Sequence, residues 1–429
     1  MRGGRSVLAV AAPVAVRLSG GVLAALFASL AIRSGGIAAF GELSVVLVSN
    51  GFAAIIGAGG LGLAVLSADE ARRPSNLFQA VRMVPSRTVL SSLLGVVGTI
   101  SIVAALTDLS RLALFFAGAH TLATSGTILT SQLFRANHHN VRADLFLGRQ
   151  GGPISLGGAV LAIALAPRLV GEVGAVHLVG CVAVGSTLAC ALGFGISVVT
   201  RARRHTESEG GRAVVLCSLH EQARLASSAA IGPAVAASPI WVASSTLDAN
   251  LVGLLAVGGQ FAAVIGLLAS AAQSRFLGHL GGVALKPGDP SMVSLANVHQ
   301  EARRVLRPIS FVVWLALTGA VVVLAISGWS ATDIALMASL PFAQSANLLT
   351  GMAGAQVQLG GFPNIVTGVG LSLAICNILG GIIAMFTTPL TLPIVVAVAG
   401  AIAPFLTVIF LSRRSGINAT IFGAQLRMQ

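Results

Sequence analysis

Runs of about 20 or more apolar residues follow one another along the 429-residue chain, with short polar stretches between them. A helical run of this length crosses the ~30 Å hydrocarbon core of a bilayer. Strands of a membrane barrel would instead alternate apolar and polar positions over about ten residues. The pattern therefore predicts an all-α polytopic membrane protein with about twelve spans, at residues 7–32, 40–67, 88–107, 110–134, 145–166, 173–199, 218–245, 250–274, 308–328, 332–357, 363–386 and 390–412.

A charged stretch at mid-chain, residues 201–212, separates the first six predicted spans from the last six. We expect an N-terminal six-helix lobe over residues 1–200, a cytoplasmic linker over 201–212 and a C-terminal six-helix lobe over 213–429. Features that recur at corresponding places in two halves are typical of transporters built from structural repeats.

The longest predicted loop, residues 276–307, carries a helical pattern of its own. Pro290 and Ser291 can start a helix that continues through apolar positions to the charged Arg303 and Arg304. The pattern predicts an amphipathic segment that lies on the inner leaflet, ahead of the ninth span.

Composition and charge support membrane insertion and predict its orientation. Apolar residues make up 55% of the chain and charged residues 9%, against about 25% charged in a soluble domain. Cytoplasmic loops of membrane proteins carry an excess of Lys and Arg. With the N-terminus in the cytoplasm, 20 of the 26 basic residues lie in cytoplasmic segments. We therefore expect a multi-pass protein of the cytoplasmic membrane with both termini inside, and no nucleic-acid partner despite the net charge of +13.

Motifs for catalysis or cofactor binding are weak. Residues 57–62 match the dinucleotide pattern G-x-G-x-x-G, but that site needs a soluble βαβ unit. Here the motif falls in a predicted span, where small residues let helices pack closely. The pair His138-His139 has no other ligand-rich segment beside it, and no nucleophile and base share a recognisable spacing. We expect a protein that is not an enzyme and holds no cofactor or metal.

Three arginines within predicted spans are the strongest functional signal: Arg17 in the first, Arg149 near the inner end of the fifth and Arg224 near the inner end of the seventh. An arginine inside a span costs about 2.5–3.5 kcal/mol on insertion scales and stays ionised. Each either extends its side chain to the headgroups or faces a wet cavity open to the cytoplasm. In a cavity, guanidinium forks suit phosphate oxygens, which predicts an anionic, amphipathic substrate.

Uncharged polar residues in the spans are secondary candidates for such a cavity. They are Asn50, His120, Gln260, Asn347 and Asn377. Each has an alternative role in a hydrogen bond between helices. His120 is either a proton site or a hydrogen-bonded packing residue.

Several segments carry a resemblance to a known family. Residues 33–43, with Phe40-Gly41, and residues 59–62 are similar to the family's Phe-Gly turn and to the Gly-Leu before its first cytoplasmic loop. Residues 248–253 are similar to the second repeat's version of this pattern. Residues 360–364, followed by Asn377, are similar to the family's short inner turn and span asparagine. On these residues the chain resembles Wzx-like polysaccharide flippases, within the multidrug/oligosaccharidyl-lipid/polysaccharide exporter superfamily.

The resemblance implies two six-helix lobes around a central cavity and transport by alternating access. It implies that the chain flips a lipid-linked, pyrophosphate-bearing oligosaccharide from the inner to the outer leaflet. Membrane lipids and other polysaccharide-assembly proteins of the membrane are the further partners it implies. The family's cavity is typically cationic, which agrees with Arg17 and Arg224.

Two departures and two alternatives accompany the resemblance. Some relatives that move the peptidoglycan precursor have fourteen spans, where twelve are predicted here. The drug-extruding branch commonly has an acidic residue in the first span, where this chain has Arg17.

An ion-coupled exporter of drugs or other small molecules with the same fold is the main alternative. A membrane protein without transport activity, such as a polymerase or an assembly partner, is the other, although the short predicted outer loops disfavour a polymerase.

Overall fold

A computed structural model of the chain describes residues 3–58, 85–136, 139–146, 152–202, 219–280, 291–359 and 362–422. These residues form thirteen helices and no strand, which confirms the all-α prediction. The helices are α1 (Gly3–Gly57), α2 (Pro85–Leu106), α3 (Arg111–Ala136), α4 (Asn140–Phe146), α5 (Gly152–Val170), α6 (Ala175–Ala202), α7 (Leu219–Thr246), α8 (Ala249–Leu280), α9 (Ser291–Ile326), α10 (Ala331–Leu349), α11 (Ala353–Leu359), α12 (Pro363–Phe386) and α13 (Thr391–Ser415).

Helix positions follow the predicted spans. Among the described residues, nine helices are long and apolar enough to cross a membrane. One of them, Leu18–Gly57, has 40 residues, about twice the length that one crossing needs. It bends at Gly36, where a φ of 83° suits a residue without a Cβ, at the predicted turn between the first two spans. With α7 and α10, which occupy two more predicted spans, the described helices account for the twelve predicted crossings.

The prediction of one continuous tenth span over residues 332–357 is wrong. The chain forms two helices there, α10 and α11, separated at Gly351 with a φ of 62°. The carbonyl oxygen of Ala419 occupies the space that a Cβ on Gly351 would need. A segment distant in sequence thus approaches the chain at this break, which hydropathy alone does not reveal.

Contacts between residues divide the chain into two compact units, unit 1 (Met1–Ala237) and unit 2 (Ser238–Gln429). The predicted linker over 201–212 falls almost entirely outside the described residues, since 203–218 are not described. The lobes predicted over 1–200 and 213–429 therefore stay a prediction.

In unit 1, α3 packs against α1, α2, α4 and α6, and α5 packs against α1 and α6. Two of the helix crossings in this unit depend on glycine. A Cβ on Gly95 of α2 would lie 2.7 Å from the carbonyl oxygen of Ala53 on α1. A Cβ on Gly185 of α6 would lie 2.6 Å from the backbone nitrogen of Ala159 on α5. Small residues thus set the spacing of these helices.

The glycine-rich motif at residues 57–62 belongs in part to the same packing. Gly57, the last residue of α1, lies against Ser125 of α3, whose hydroxyl would meet a Cβ at that position. The prediction that the motif serves close helix packing is confirmed at Gly57, while residues 59–62 lie outside the described residues.

In unit 2, the chain that follows α13 folds back over the protein as a non-helical strap, residues 416–421. Ile417, Ala419 and Ile421 are almost completely buried in an apolar cluster with residues of α8, α9, α10, α11 and α13. Burial of alternate side chains makes this strap part of the core of unit 2.

Hydrogen bonds fix the strap to two helices. On α9, the Arg303 guanidinium donates to the carbonyl oxygen of Asn418, and Arg307 Nη2 donates to the carbonyl oxygen of Ile421 at 2.9 Å. The backbone N–H of Ile421 donates to the carbonyl oxygen of Leu349, the last residue of α10, at 3.0 Å. Charged donors to carbonyl groups are among the stronger hydrogen bonds in proteins.

Protein contacts account for the apolar positions of the predicted amphipathic segment, while its place on the inner leaflet stays a prediction. A helix does begin at Ser291, as predicted, but it continues without interruption to Ile326. Its apolar face is packed inside unit 2, with Leu295, Ala302 and Leu306 at most 2% exposed. Because protein covers this face, no membrane surface is needed to bury it.

We expect Arg303→Gln to destabilise unit 2, because it removes a charged donor from a part-buried carbonyl group. A hydrogen bond to a charged group contributes about 1.5–3 kcal/mol, which corresponds to a fall in melting midpoint of roughly 3–12 °C. The control is Arg304→Gln, since Arg304 is exposed and has no hydrogen bond or ion pair with another described residue. Thermal unfolding of the two purified variants should differ; equal midpoints would mean that the strap is not held by Arg303.

Candidate functional site

The three arginines predicted to bind substrate are placed only through the backbone. Arg17 lies on α1 before the bend at Gly36, and Arg224 lies in the second turn of α7. Their side chains and the whole of Arg149 lie outside the described residues. Their role in a cationic cavity therefore stays a prediction.

Two of the secondary candidates meet in the interior of unit 1. Asn50 of α1 and His120 of α3 are both 0% exposed, with 2.8 Å between Asn50 Nδ2 and His120 Nε2. Asn50 Nδ2 also lies 3.3 Å from the hydroxyl of Thr124, one turn along α3. On the other side of the ring, His120 Nδ1 lies 2.5 Å from Ser186 Oγ of α6. His120 thus joins three helices.

The orientation of the Asn50 amide, with Nδ2 toward the ring, selects one tautomer of His120. An amide nitrogen only donates, so His120 Nε2 accepts from Asn50 and carries no proton. The neutral ring then carries its proton on Nδ1, which donates to Ser186 Oγ. The Ser186 hydroxyl donates to the carbonyl oxygen of Val182 at 2.8 Å, so in the contact of 3.2 Å with Ser155 of α5 the donor is Ser155. We call Asn50, His120, Ser155 and Ser186 the histidine network.

Other polar side chains of α3 bind each of its neighbours. Thr121 donates to Thr99 of α2 at 2.8 Å, Ser125 to the carbonyl oxygen of Ala54 on α1 at 3.1 Å and Ser131 to that of Ala143 on α4 at 2.9 Å. Arg135 forms an ion pair of 3.2 Å with Asp144 of α4, whose carboxylate is 3% exposed. These contacts make α3 the polar axis of unit 1.

The secondary candidates of unit 2 lie on three different helices. Asn377 of α12, 2% exposed, donates to Ser238 of α7 at 2.9 Å. Asn347 donates to Gln344 at 3.2 Å on the same helix, α10. Gln260 is half-buried on α8. Their part in a substrate cavity stays a prediction, as does that of Asn50 and His120.

Two residues of the histidine network, Ser155 and Ser186, were not selected from the sequence. Ser155 and Ser186 sit in apolar runs, and their side chains look no different there from serines that bond only to their own helix. The density of Ser and Thr at helical spacing in α3 is a signal that was available, because it is unusual in a span. In the described part of the chain, no group of three or more His, Cys, Asp or Glu residues could hold a metal ion.

Comparison with known proteins gives the class of fold. No protein-family model and no curated protein sequence matches the chain. Solved structures of transporters do match it, and the chain shares their fold.

Three of these structures cover almost the whole chain. The lipid II flippase MurJ in an inward closed conformation has a TM-score of 0.64 at 11% identity, over 95% of this chain and 87% of that chain. The MATE multidrug transporter DinF-BH has a TM-score of 0.62 at 13% identity, and the match covers 96% of this chain and 95% of that chain. An inward-facing multidrug resistance MATE family transporter of the multidrug/oligosaccharidyl-lipid/polysaccharide (MOP) superfamily has a TM-score of 0.59 at 14% identity, and the match covers 94% of this chain and 98% of that chain.

Proposed function

We propose that the chain is a transporter that flips a lipid-linked oligosaccharide from the inner to the outer leaflet by alternating access. Arg17, Arg224 and Arg149 bind the pyrophosphate of this substrate in a cationic cavity. The observation that carries the proposal is the combination of this transporter fold with arginines on two spans, α1 and α7. The fold is shared with a protein described as a lipid II flippase.

The chemistry of the substrate follows from the charge of these residues. A pyrophosphate offers several anionic oxygens, and guanidinium groups bind such oxygens in pairs. Outward movement of an anion is favoured by about 2.3 kcal/mol per charge for each 100 mV of interior-negative potential. A cationic cavity therefore suits a substrate that leaves the cytoplasm carrying negative charge.

An ion-coupled exporter of small molecules is the second candidate. It is favoured by the fold match to DinF-BH, which is described as a multidrug transporter and has a TM-score close to that of the flippase. The two candidates differ in the sign of the cargo charge that the cavity should bind. Arginine favours an anion, whereas a cationic drug needs an acidic group.

We expect Arg17→Ala and Arg224→Ala each to lower the flipping rate about tenfold or more, since hydrogen bonds to a charged group contribute about 1.5–3 kcal/mol. The measurement is flipping of a fluorescent polyprenyl-diphosphate oligosaccharide in proteoliposomes. Arg17→Lys keeps the positive charge but not the paired N–H donors of the guanidinium, so its flipping rate should fall less than that of Arg17→Ala. Arg111→Ala, at the start of α3, is the control for loss of a basic residue.

Two results would count against the flippase. If both alanine variants were stably inserted and flipped the lipid at the rate of the wild-type protein, Arg17 and Arg224 would not belong to the substrate site. Efflux of a cationic dye that depends on an ion gradient, with no flipping of the lipid by the wild-type protein, would favour the exporter.

A further inference from the structure

An open cavity of about 640 Å³ lies in unit 1, between α1 before its bend, the second half of α5 and the turn into α6. Its volume is in the range of small-molecule sites, about 300–1,000 Å³. The basic-residue pattern predicts that this end of the unit faces outward. Its lining includes Leu30, Arg33, Ser34, Ile163, Pro167 and Glu172.

The backbone around the cavity is held by close contacts. A Cβ on Gly35 would lie 3.1 Å from the carbonyl oxygen of Val173, so α1 approaches the start of α6 closely at this glycine. Gly171, with a φ of 74°, turns the chain after α5. Arg33 and Glu172 both line this cavity, one from α1 and one from the turn before α6.

The two charges are available to a ligand. Arg33 and Glu172 are exposed, and neither forms an ion pair or hydrogen bond with another described residue. One positive and one negative group on a single cavity complement a zwitterion, which presents a charge of the opposite sign to each. A pyrophosphate would meet repulsion from Glu172 and a simple cation would meet repulsion from Arg33.

Exposed leucines on the two helices that line the cavity indicate what carries the zwitterion. Leu26 lies one turn before Leu30 on α1 and is 45% exposed. Leu161, Leu165 and Leu169 form a neighbouring stripe on α5 and are 66%, 50% and 80% exposed. Such a surface next to a charged cavity at the predicted end of two spans suits acyl chains below a headgroup.

We propose that this cavity binds a membrane phospholipid with a zwitterionic amine-phosphate headgroup. The phosphate lies on Arg33, the primary ammonium lies on Glu172 and the acyl chains follow the leucines of α1 and α5. The site differs from the cationic cavity assigned to the cargo, and it requires neither a flippase nor an exporter. The lipid is a bound component of unit 1.

Native mass spectrometry of the full chain, delipidated in detergent and titrated with lipid, tests the site. The probes are phosphatidylethanolamine and phosphatidylglycerol with identical acyl chains. We expect one phosphatidylethanolamine to bind at least tenfold more tightly than phosphatidylglycerol. Glu172→Gln should abolish this preference, because only phosphatidylethanolamine carries the ammonium. Arg33→Gln should weaken binding of both lipids about tenfold, because both carry the phosphate. Arg168→Gln and Asp108→Asn change exposed charges that do not line the cavity, and they should leave the preference intact.

Thermal unfolding of each variant separates loss of the site from loss of the fold, and Arg33→Lys keeps the charge and should retain binding. A preference for phosphatidylethanolamine that survives in Glu172→Gln, or unchanged binding of both lipids by Arg33→Gln, would overturn the site. Equal binding of the two lipids, sensitive to Arg33 alone, would identify an anion site and overturn the zwitterion. Native mass spectrometry measures lipid binding without transport. A negative result there is therefore distinct from failure of the proposed transport function.

Discussion

Replacing Gly185 with alanine is expected to disrupt the packing of α5 against α6. The added methyl group would lie on the carbonyl oxygen of Ser155 and 2.6 Å from the backbone nitrogen of Ala159. Backbone atoms cannot move aside as a flexible side chain does, so the helices must separate. Overpacking of this kind costs about 1–3 kcal/mol or more, and a backbone clash should lie at the upper end. We expect a fall in melting midpoint of roughly 6–12 °C, measured by thermal unfolding in detergent together with size-exclusion profiles.

Gly157→Ala on α5 is the control for this variant. A Cβ there has no neighbour within 4 Å, and alanine is favoured over glycine inside a helix by about 0.5–1 kcal/mol. Gly157→Ala should therefore leave stability unchanged or raise it. If Gly185→Ala unfolded at the same temperature as this control, the α5–α6 crossing would have to be wider than the structure indicates.

Asn50→Leu is expected to have the second large effect, because it breaks the histidine network. The variant removes the donor to His120 Nε2 from an interior that is 0% exposed. Leaving a buried polar group without a partner costs about 1–3 kcal/mol. Replacing both partners by apolar groups of similar shape can be nearly neutral. We therefore expect Asn50→Leu combined with His120→Phe to cost less than the two single changes added together.

A double-mutant cycle on unfolding midpoints measures this coupling, which is typically about 0.5–3 kcal/mol for residues in one network. Thr127→Val is the control, because the buried Thr127 hydroxyl bonds to the carbonyl oxygen of Thr124 on its own helix. It should cost less than Asn50→Leu. Strictly additive effects of the Asn50 and His120 changes would mean that the two side chains do not act as a unit.

The sequence selects some residues of the candidate site, and the tertiary structure shows which of them meet. The sequence selects Asn50 and His120 as polar residues in spans. It does not show that Asn50 Nδ2 and His120 Nε2 lie 2.8 Å apart. They are 70 positions apart, and only the packing of α1 against α3 brings them together. Arg17, Arg149 and Arg224 were selected from the cost of charge in a membrane, and their mutual arrangement stays a prediction.

The sequence by itself determined the positions of the spans apart from the tenth, because a bilayer of fixed thickness demands about 20 apolar residues for each crossing. It also separated the first two spans, and the structure bends between them at Gly36, where a φ of 83° suits glycine. Only the tertiary structure decided that Leu295, Ala302 and Leu306 pack inside unit 2 with the strap, and that the predicted tenth span breaks at Gly351. Hydropathy records how apolar a segment is and not whether lipid or protein covers it. Which surface buries a helix is therefore settled by contacts between segments far apart in the chain.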